Sequence, residues 1–299
     1  MDLLILESEY LAFSKHFKST GTYRYDKSHL PTIINFLQDS GYTDTSQLDF
    51  EALYLFIDQS RIHDNSNATI NKRISLLNRS IAFQVKQGKC EPTIIASFPK
   101  LKEIDKRYSI IDEATMRKVI AYLLNLPDNF LNIRNRLIIF LFIDTGARLS
   151  EVTNIFIENI DTSNCSILLS ETKTKRERVV FFTEYTLKHL TDYLSIISKD
   201  SGKLLLNSKS MNPINYLGVL RVFQKVKKAL NLKEFSSHMV RHSYGTLAYK
   251  KDINNLFTKN TMGHSRMDMT ERYTHYDIET NKKIFNSLSP MEHYLDIKK

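Results

Sequence analysis

This chain of 299 residues is predicted to be mainly α-helical, in two domains, with a small β-sheet confined to the second. Three observations carry the expectation. Glycine and proline are scarce, 8 and 6 in all, which points to long helices with few tight turns. Apolar residues recur at helical spacing through the first hundred residues. Near residue 165 that period breaks into two short runs of β-branched and aromatic residues, the pattern of a hairpin. The length suffices for two domains and a sizeable core, and no internal repeat is visible.

Taken in order, the first domain should hold four helices over residues 7–18, 27–40, 49–61 and 67–88. Leu30, Ile33, Ile34 and Leu37 make one apolar stripe, and Ile70, Ile74, Leu77, Ile81 and Val85 another. Asp49 is a candidate helix start; Gly41 and Gly88 are candidate stops. Residues 89–108, "KCEPTIIASFPKLKEIDKRY", hold two prolines and little periodicity, so the first domain is placed at 1–90 and a basic linker at 91–108. Asp112 should cap an amphipathic helix that opens the second domain, 109–299. The most apolar helix, "FLNIRNRLIIFLFIDTG", should be its core and end at Gly146. "CSILLS" and "RVVFF" flank the polar "ETKTKRE" as a hairpin, and helices return from Tyr185 to the end, with a tail from about residue 280.

Hydrophobic residues at 42% and charged residues at 25% are ordinary for a globular protein. The net charge of +9 points to a polyanionic partner. Its distribution says more: residues 1–100 carry 11 basic and 11 acidic side chains, the remainder 31 and 22. All the excess therefore falls beyond residue 100, in the part that holds the second domain, which fits a polyphosphate substrate better than a small neutral one. Cys90 and Cys165 are far apart and in no metal-binding spacing, so reduced thiols are expected. The first ten residues lack the basic region of a secretory signal, and the longest apolar run, Leu137 to Ile143, is far short of a membrane span. A cytoplasmic protein without membrane contact is expected.

Function is written mostly in the second domain. Arg148 lies in "DTGARLSEV", Lys173 in "SETKTKRERVVFF", His238 and Arg241 in "SSHMVRHSYGT", His264 in "TMGHSRMDMT" and Tyr273 in "ERYTHY". Two arginines, two histidines, a lysine and a tyrosine form the set a phosphodiester needs for attack by a phenol. A guanidinium binds two phosphate oxygens at once and does not deprotonate. Arg148 follows a Thr-Gly helix break and begins the next helix, where neighbouring amides would add to an anion site. His238 and Arg241, three residues apart, share a helix face. Each motif alone is common, and a surface arginine, a turn histidine or a packed tyrosine would account for any one of them. Lys175 competes with Lys173, and Tyr276 with Tyr273.

Together the motifs resemble the catalytic domain of the tyrosine recombinase, or phage integrase, family over roughly residues 109–280, in its compact Xer-like form without an arm-binding domain. They occur in the family's order, with 25 residues from Arg148 to Lys173, 23 from Arg241 to His264 and 9 from His264 to Tyr273. The resemblance implies a two-domain DNA clamp, with a helical (SAM-like) domain on one face of the DNA and the catalytic domain on the other. It implies Tyr273 as the nucleophile, because the family places that residue before a Thr-His pair. Arg148, Arg241 and His264 would hold the phosphate, His238 would position it and assist proton movement, and Lys173, in the hairpin turn, would protonate the leaving 5′ oxygen. The activity implied is site-specific recombination through a 3′-phosphotyrosyl intermediate, without metal or other cofactor. The implied partner is double-stranded DNA with paired half-sites, bound by a homotetramer on two sites that is monomeric or weakly oligomeric when free. Ile284, Phe285, Leu288, Met291, Tyr294 and Leu295 would form a tail docking into a neighbouring protomer. Relaxation of DNA in the manner of a type IB topoisomerase, and a non-catalytic DNA-binding role on the same scaffold, are the alternatives.

Overall fold

Two units, Met1–Lys106 and Arg107–Lys299, make up the computed structural model, which describes residues 1–103, 109–170, 177–262 and 278–295. No described helix is long and apolar enough to cross a membrane.

The first unit is built from α1 (Leu3–Phe17), α2 (Thr20–Asp39), α3 (Phe50–Ile62) and α4 (Asn67–Lys86). Each starts at a polar residue whose side chain accepts from an amide of the first turn: Asp2, Ser19, Asp49 and Ser66. Two helices therefore begin earlier than their apolar periodicity suggests. The Asp2 carboxylate accepts from Leu4 and Ile5, and α2 runs from its Ser19 cap straight through Pro31. An interior proline removes one helical hydrogen bond; here Leu30, Ile33, Ile34 and Leu37, all buried, hold the helix on both sides of it. Part of the segment expected to be a linker is packed instead. Ile95 belongs to the core of this unit, and Asn71 on α4 donates to the Leu101 carbonyl and accepts from the Leu101 amide, at 2.9 and 3.0 Å. An amide side chain here makes the pair of bonds a neighbouring strand would make.

The second unit opens with α5 (Glu113–Leu124), capped by Asp112, which accepts from the Thr115 amide at 2.8 Å. Next comes α6 (Phe130–Thr145), buried along its whole apolar run from Leu137 to Ile143. It ends at Gly146 in the left-handed conformation, φ 56°. A short α7 (Leu149–Thr153) leads to an antiparallel sheet of β1 (Ile160–Asp161), β2 (Ser166–Leu169) and β3 (Arg178–Phe181) in that order. Ser166 pairs with Phe181 and Leu169 with Arg178. The expected hairpin is β2–β3; β1, two residues long, has no run to announce it. The remaining helices are α8 (Glu184–Ile197), α9 (Tyr216–Ala229), α10 (Ser237–Lys250), α11 (Asn255–Met262), α12 (Ile278–Leu288) and α13 (Pro290–Leu295). The return to helix is not continuous: α8 stops at left-handed Ser198, and Leu204, Leu205 and Leu206 then enter the core on an irregular segment tied by isolated bridges at Lys203 and Leu206.

The C-terminal stripe, expected to dock on a neighbouring protomer, packs on its own unit. Phe285, Leu288 and Met291 are buried in the core of that unit. The Phe285 ring lies 5.9 Å from that of Phe181. Ser289 turns the chain and Pro290 takes the first position of α13, where a missing amide costs nothing. The main chain there is held by charged side chains. Arg117 donates to the Tyr294 carbonyl at 2.7 Å, Lys251 to the Leu288 carbonyl at 2.9 Å, and the Met291 amide donates to the Asp144 carboxylate at 3.1 Å. Asp144, wholly buried on α6, also accepts from the amide and hydroxyl of Thr183, the cap of α8. One carboxylate thus joins α6, α8 and α13, and its burial pushes its pKa up to about 6 despite those donors.

Candidate active site

Arg148 and Arg241, far apart in sequence, are brought to one place by three pieces of local structure: the end of α6, the start of α7 and the inner face of α10. The Arg241 guanidinium is buried and donates through Nη1 to the carbonyl of Gly146 at 2.7 Å and through Nη2 to the carbonyl of Met262, the last residue of α11. Gly146 suits this position for two reasons. Its φ is left-handed, and a Cβ there would lie 2.8 Å from Cγ and Cδ1 of Tyr244, three residues after Arg241. Ser243 fixes the same helix from another side, accepting from the Ile111 amide at 2.8 Å.

Arg148 caps α7 from two residues beyond Gly146. Its amide donates to Glu151 Oε2 at 2.7 Å and its Nη1 to Glu151 Oε1 at 3.0 Å. The Arg148 amide is therefore taken up by the carboxylate of its own helix. Glu151 is buried and takes a second arginine: Arg178, the first residue of β3, donates Nη1 to Oε1 at 2.8 Å and Nη2 to Oε2 at 2.6 Å. Burial alone would raise the Glu151 pKa; the bidentate Arg178 and the contacts with Arg148 outweigh it and hold the carboxyl below its ordinary value. Arg178 Nε donates to the Thr261 carbonyl at 2.8 Å. Successive carbonyls at the end of α11 thus receive successive arginines, where the helix dipole favours positive charge.

Among the described residues, three arginines and one carboxylate leave an excess of positive charge at this point. The cost is visible in Arg241, whose pKa is pushed down to about 10, first by burial and then by the neighbouring Arg148. It remains charged at neutral pH, and an anion between the arginines would relieve both effects. His238, on the first turn of α10, is exposed, whereas Arg241 on the same helix points inward. His242, one turn beyond His238, has its pKa lowered by burial and then by the charges of His238 and Arg241.

Of the residues singled out in the sequence, Arg148 and Arg241 meet, and His238 lies one turn of helix from Arg241. Lys173, His264 and Tyr273, with the competitors Lys175 and Tyr276, lie outside the described residues. Glu151 and Arg178 were not singled out, although each carried a signal. A glutamate three residues after a helix start is the spacing of a capping box, and an arginine opening a strand of this sheet has to be half-buried. Among the described residues no group of three His, Cys, Asp or Glu side chains is arranged to hold a metal ion.

Residues 111–280 match the model of the phage integrase family, and the chain belongs to that family. The tyrosine recombinase XerC of Lactobacillus delbrueckii subsp. bulgaricus is 28% identical over 294 residues, covering 92% of this chain and 96% of the relative. Among solved structures, the Tn1549 transposon integrase in complex with transposon right end DNA superposes with a TM-score of 0.73 at 15% identity, covering 97% of this chain and all of that one. A lambda integrase dimer bound to a COC′ core site gives 0.71 at 17% identity, covering 93% and 100%. At these identities the likeness establishes the fold, mainly helical with one small sheet.

Proposed function

We propose that this protein is a site-specific DNA recombinase of the tyrosine type, which cuts and rejoins DNA through a 3′-phosphotyrosyl intermediate. The observation that carries the reading is the convergence of Arg148 and Arg241 on one electropositive point, held by Glu151 and the Gly146 carbonyl. Such a pair neutralises the non-bridging oxygens of a phosphodiester as attack concentrates charge on them. Tyr273 is the nucleophile. Its oxygen bonds to phosphorus as the bond to the 5′ oxygen breaks, and Lys173 gives that oxygen its proton. His264 donates to the phosphate, and His238 positions it and assists the proton leaving the phenol. Because a phenolate is a competent leaving group, the 5′ hydroxyl of a partner strand can reverse the step, and no energy source is needed.

DNA is the partner. A XerC relative matched over 96% of its own length supports the function, and the surplus of basic residues beyond residue 100 supports the substrate. The domain roles follow the same reading: residues 1–90 contact DNA from one face and the catalytic domain from the other, and four copies act on two sites. A lambda integrase tetramer has been solved on a Holliday junction, which supports that stoichiometry as a proposal for this chain.

The test is covalent trapping. On a suicide substrate nicked beside the cleavage point, wild type and Tyr276→Phe should form a protein–DNA adduct and Tyr273→Phe none, with DNA binding retained. Loss of the adduct in Tyr276→Phe instead would overturn the assignment of the nucleophile.

A further inference from the structure

Glu151 poses a problem that the proposed mechanism leaves open. A carboxylate bonded to Arg148 cancels the charge that a phosphate would use. The structure resolves the conflict with a second arginine. Each Glu151 oxygen accepts two hydrogen bonds: Oε1 from Arg148 Nη1 and Arg178 Nη1, Oε2 from the Arg148 amide and Arg178 Nη2. That fills the acceptor positions of the carboxylate. The side chain of Glu151 is fully buried and that of Arg178 is 10% exposed, while Arg148 at 23% is the member that reaches solvent. Arg178 is thus aimed inward, at Glu151 and at the Thr261 carbonyl.

We infer that Arg178 is a positioning residue of the recombinase site: it neutralises and orients Glu151, so that Glu151 can orient Arg148 without consuming its charge. The argument is electrostatic before it is geometric. With one arginine the buried pair is neutral; with two it carries one net positive charge, displaced toward the accessible end at Arg148. Arginine suits the place because its fork meets both carboxylate oxygens while Nε serves a third acceptor. The third contact ties β3 to the end of α11, where the adjacent Met262 carbonyl receives Arg241. Arg178 therefore acts on both members of the phosphate-binding pair while touching neither substrate nor nucleophile. The inference rests on Arg148 being a phosphate ligand, as proposed above.

The experiment is single-turnover adduct formation by the full chain on two nicked substrates, one with an ordinary scissile phosphodiester and one with an uncharged methylphosphonate at that position. Arg178→Gln should be slower by about 100-fold on the phosphodiester, the scale set by misplacing or cancelling one charge ligand. On the methylphosphonate, which has no anionic charge to neutralise, it should be within about 10-fold of wild type. A merely structural defect would slow both substrates equally, and that result would overturn the inference. Should Arg178→Gln fold poorly because Glu151 is left buried and half-paired, the double variant Glu151→Gln/Arg178→Gln removes both charges. It should then unfold near the wild-type temperature and cleave the phosphodiester faster than Arg178→Gln alone, because nothing cancels Arg148. A double variant no faster than the single one would also overturn the inference. Arg148→Ala separates this from the broader reading. If it cleaves the phosphodiester at the wild-type rate, Arg148 is not a phosphate ligand and the site assignment fails. If it is slow on the phosphodiester and recovers on the methylphosphonate while Arg178→Gln does not, only the role of Arg178 falls.

Discussion

Gly146→Ala tests how the arginine site is anchored. Gly146 has φ 56°, and an added Cβ would sit 2.8 Å from two ring atoms of Tyr244, against ordinary contact at 3.4 Å and beyond, so one side must yield by roughly 0.6 Å. Holding a non-glycine residue in the left-handed region costs roughly 1–2 kcal/mol. Forcing a methyl group into a packed site costs roughly 1–3 kcal/mol more, and Tyr244 is buried with little room to retreat. The expected loss is therefore about 2–5 kcal/mol. Gly202 supplies the internal comparison: it lies in the same unit, has φ 90°, and a Cβ there meets nothing within 4 Å. Gly202→Ala should carry only the backbone cost, about 1–2 kcal/mol. Urea denaturation followed by circular dichroism measures both. Function should suffer as well, because the Gly146 carbonyl accepts from Arg241. A displacement of that size at a catalytic group should slow adduct formation by roughly 10- to 100-fold, whereas Gly202→Ala should leave it near wild type. If Gly146→Ala were no more destabilising than Gly202→Ala, the packing argument would be wrong. If it were destabilised but cleaved normally, the carbonyl would not be what holds Arg241.

Three further outcomes follow from the same structure. A 5′-bridging sulfur in the scissile link leaves without protonation, so it should restore cleavage to Lys173→Ala but not to Arg148→Ala; equal defects on both substrates would move the general acid to Lys175. Deleting residues 284–299 removes Phe285, Leu288 and Met291 from the core, at about 1.5–3 kcal/mol for each buried side chain. The truncated chain should therefore melt well below wild type, and an unchanged melting temperature would argue against packing of the tail on its own unit. Asp144 has a folded-state pKa raised from 3.8 to about 6, so the penalty for its charged form is fully present above pH 6 and gone below about 4. Relative to Asp144→Asn, wild type should gain up to about 3 kcal/mol as the pH falls from 7 to 4. A gap independent of pH would show that Asp144 does not titrate in that window.

Much of the architecture was legible in the chain because it depends on local rules. Capping side chains at Asp49 and Asp112, the unbroken apolar run of α6 and the left-handed stop at Gly146 are all set within one or two turns of helix. The change of period at Cys165 sufficed to place the β2–β3 hairpin. The local rules failed where packing overrode them, as at Leu204–Leu206, which enter the core without regular structure. The site divides in the same way. Arg148, Arg241 and His238 are visible as residue types in motifs, since a phosphate demands guanidinium groups wherever they lie in the chain. That Arg241 ends on the Gly146 and Met262 carbonyls, and that Glu151 also takes Arg178, depends on contacts between residues 21 to 95 positions apart. The choice between docking the tail on its own unit and on a neighbour likewise lay outside the sequence: the apolar stripe is the same in both cases. Only the buried acceptor on Asp144 and the donors on Arg117 and Lys251, supplied by α6, α5 and the residue that ends α10, decided where its main chain is held. A sequence specifies which groups must be buried or paired; the folded chain chooses their partners.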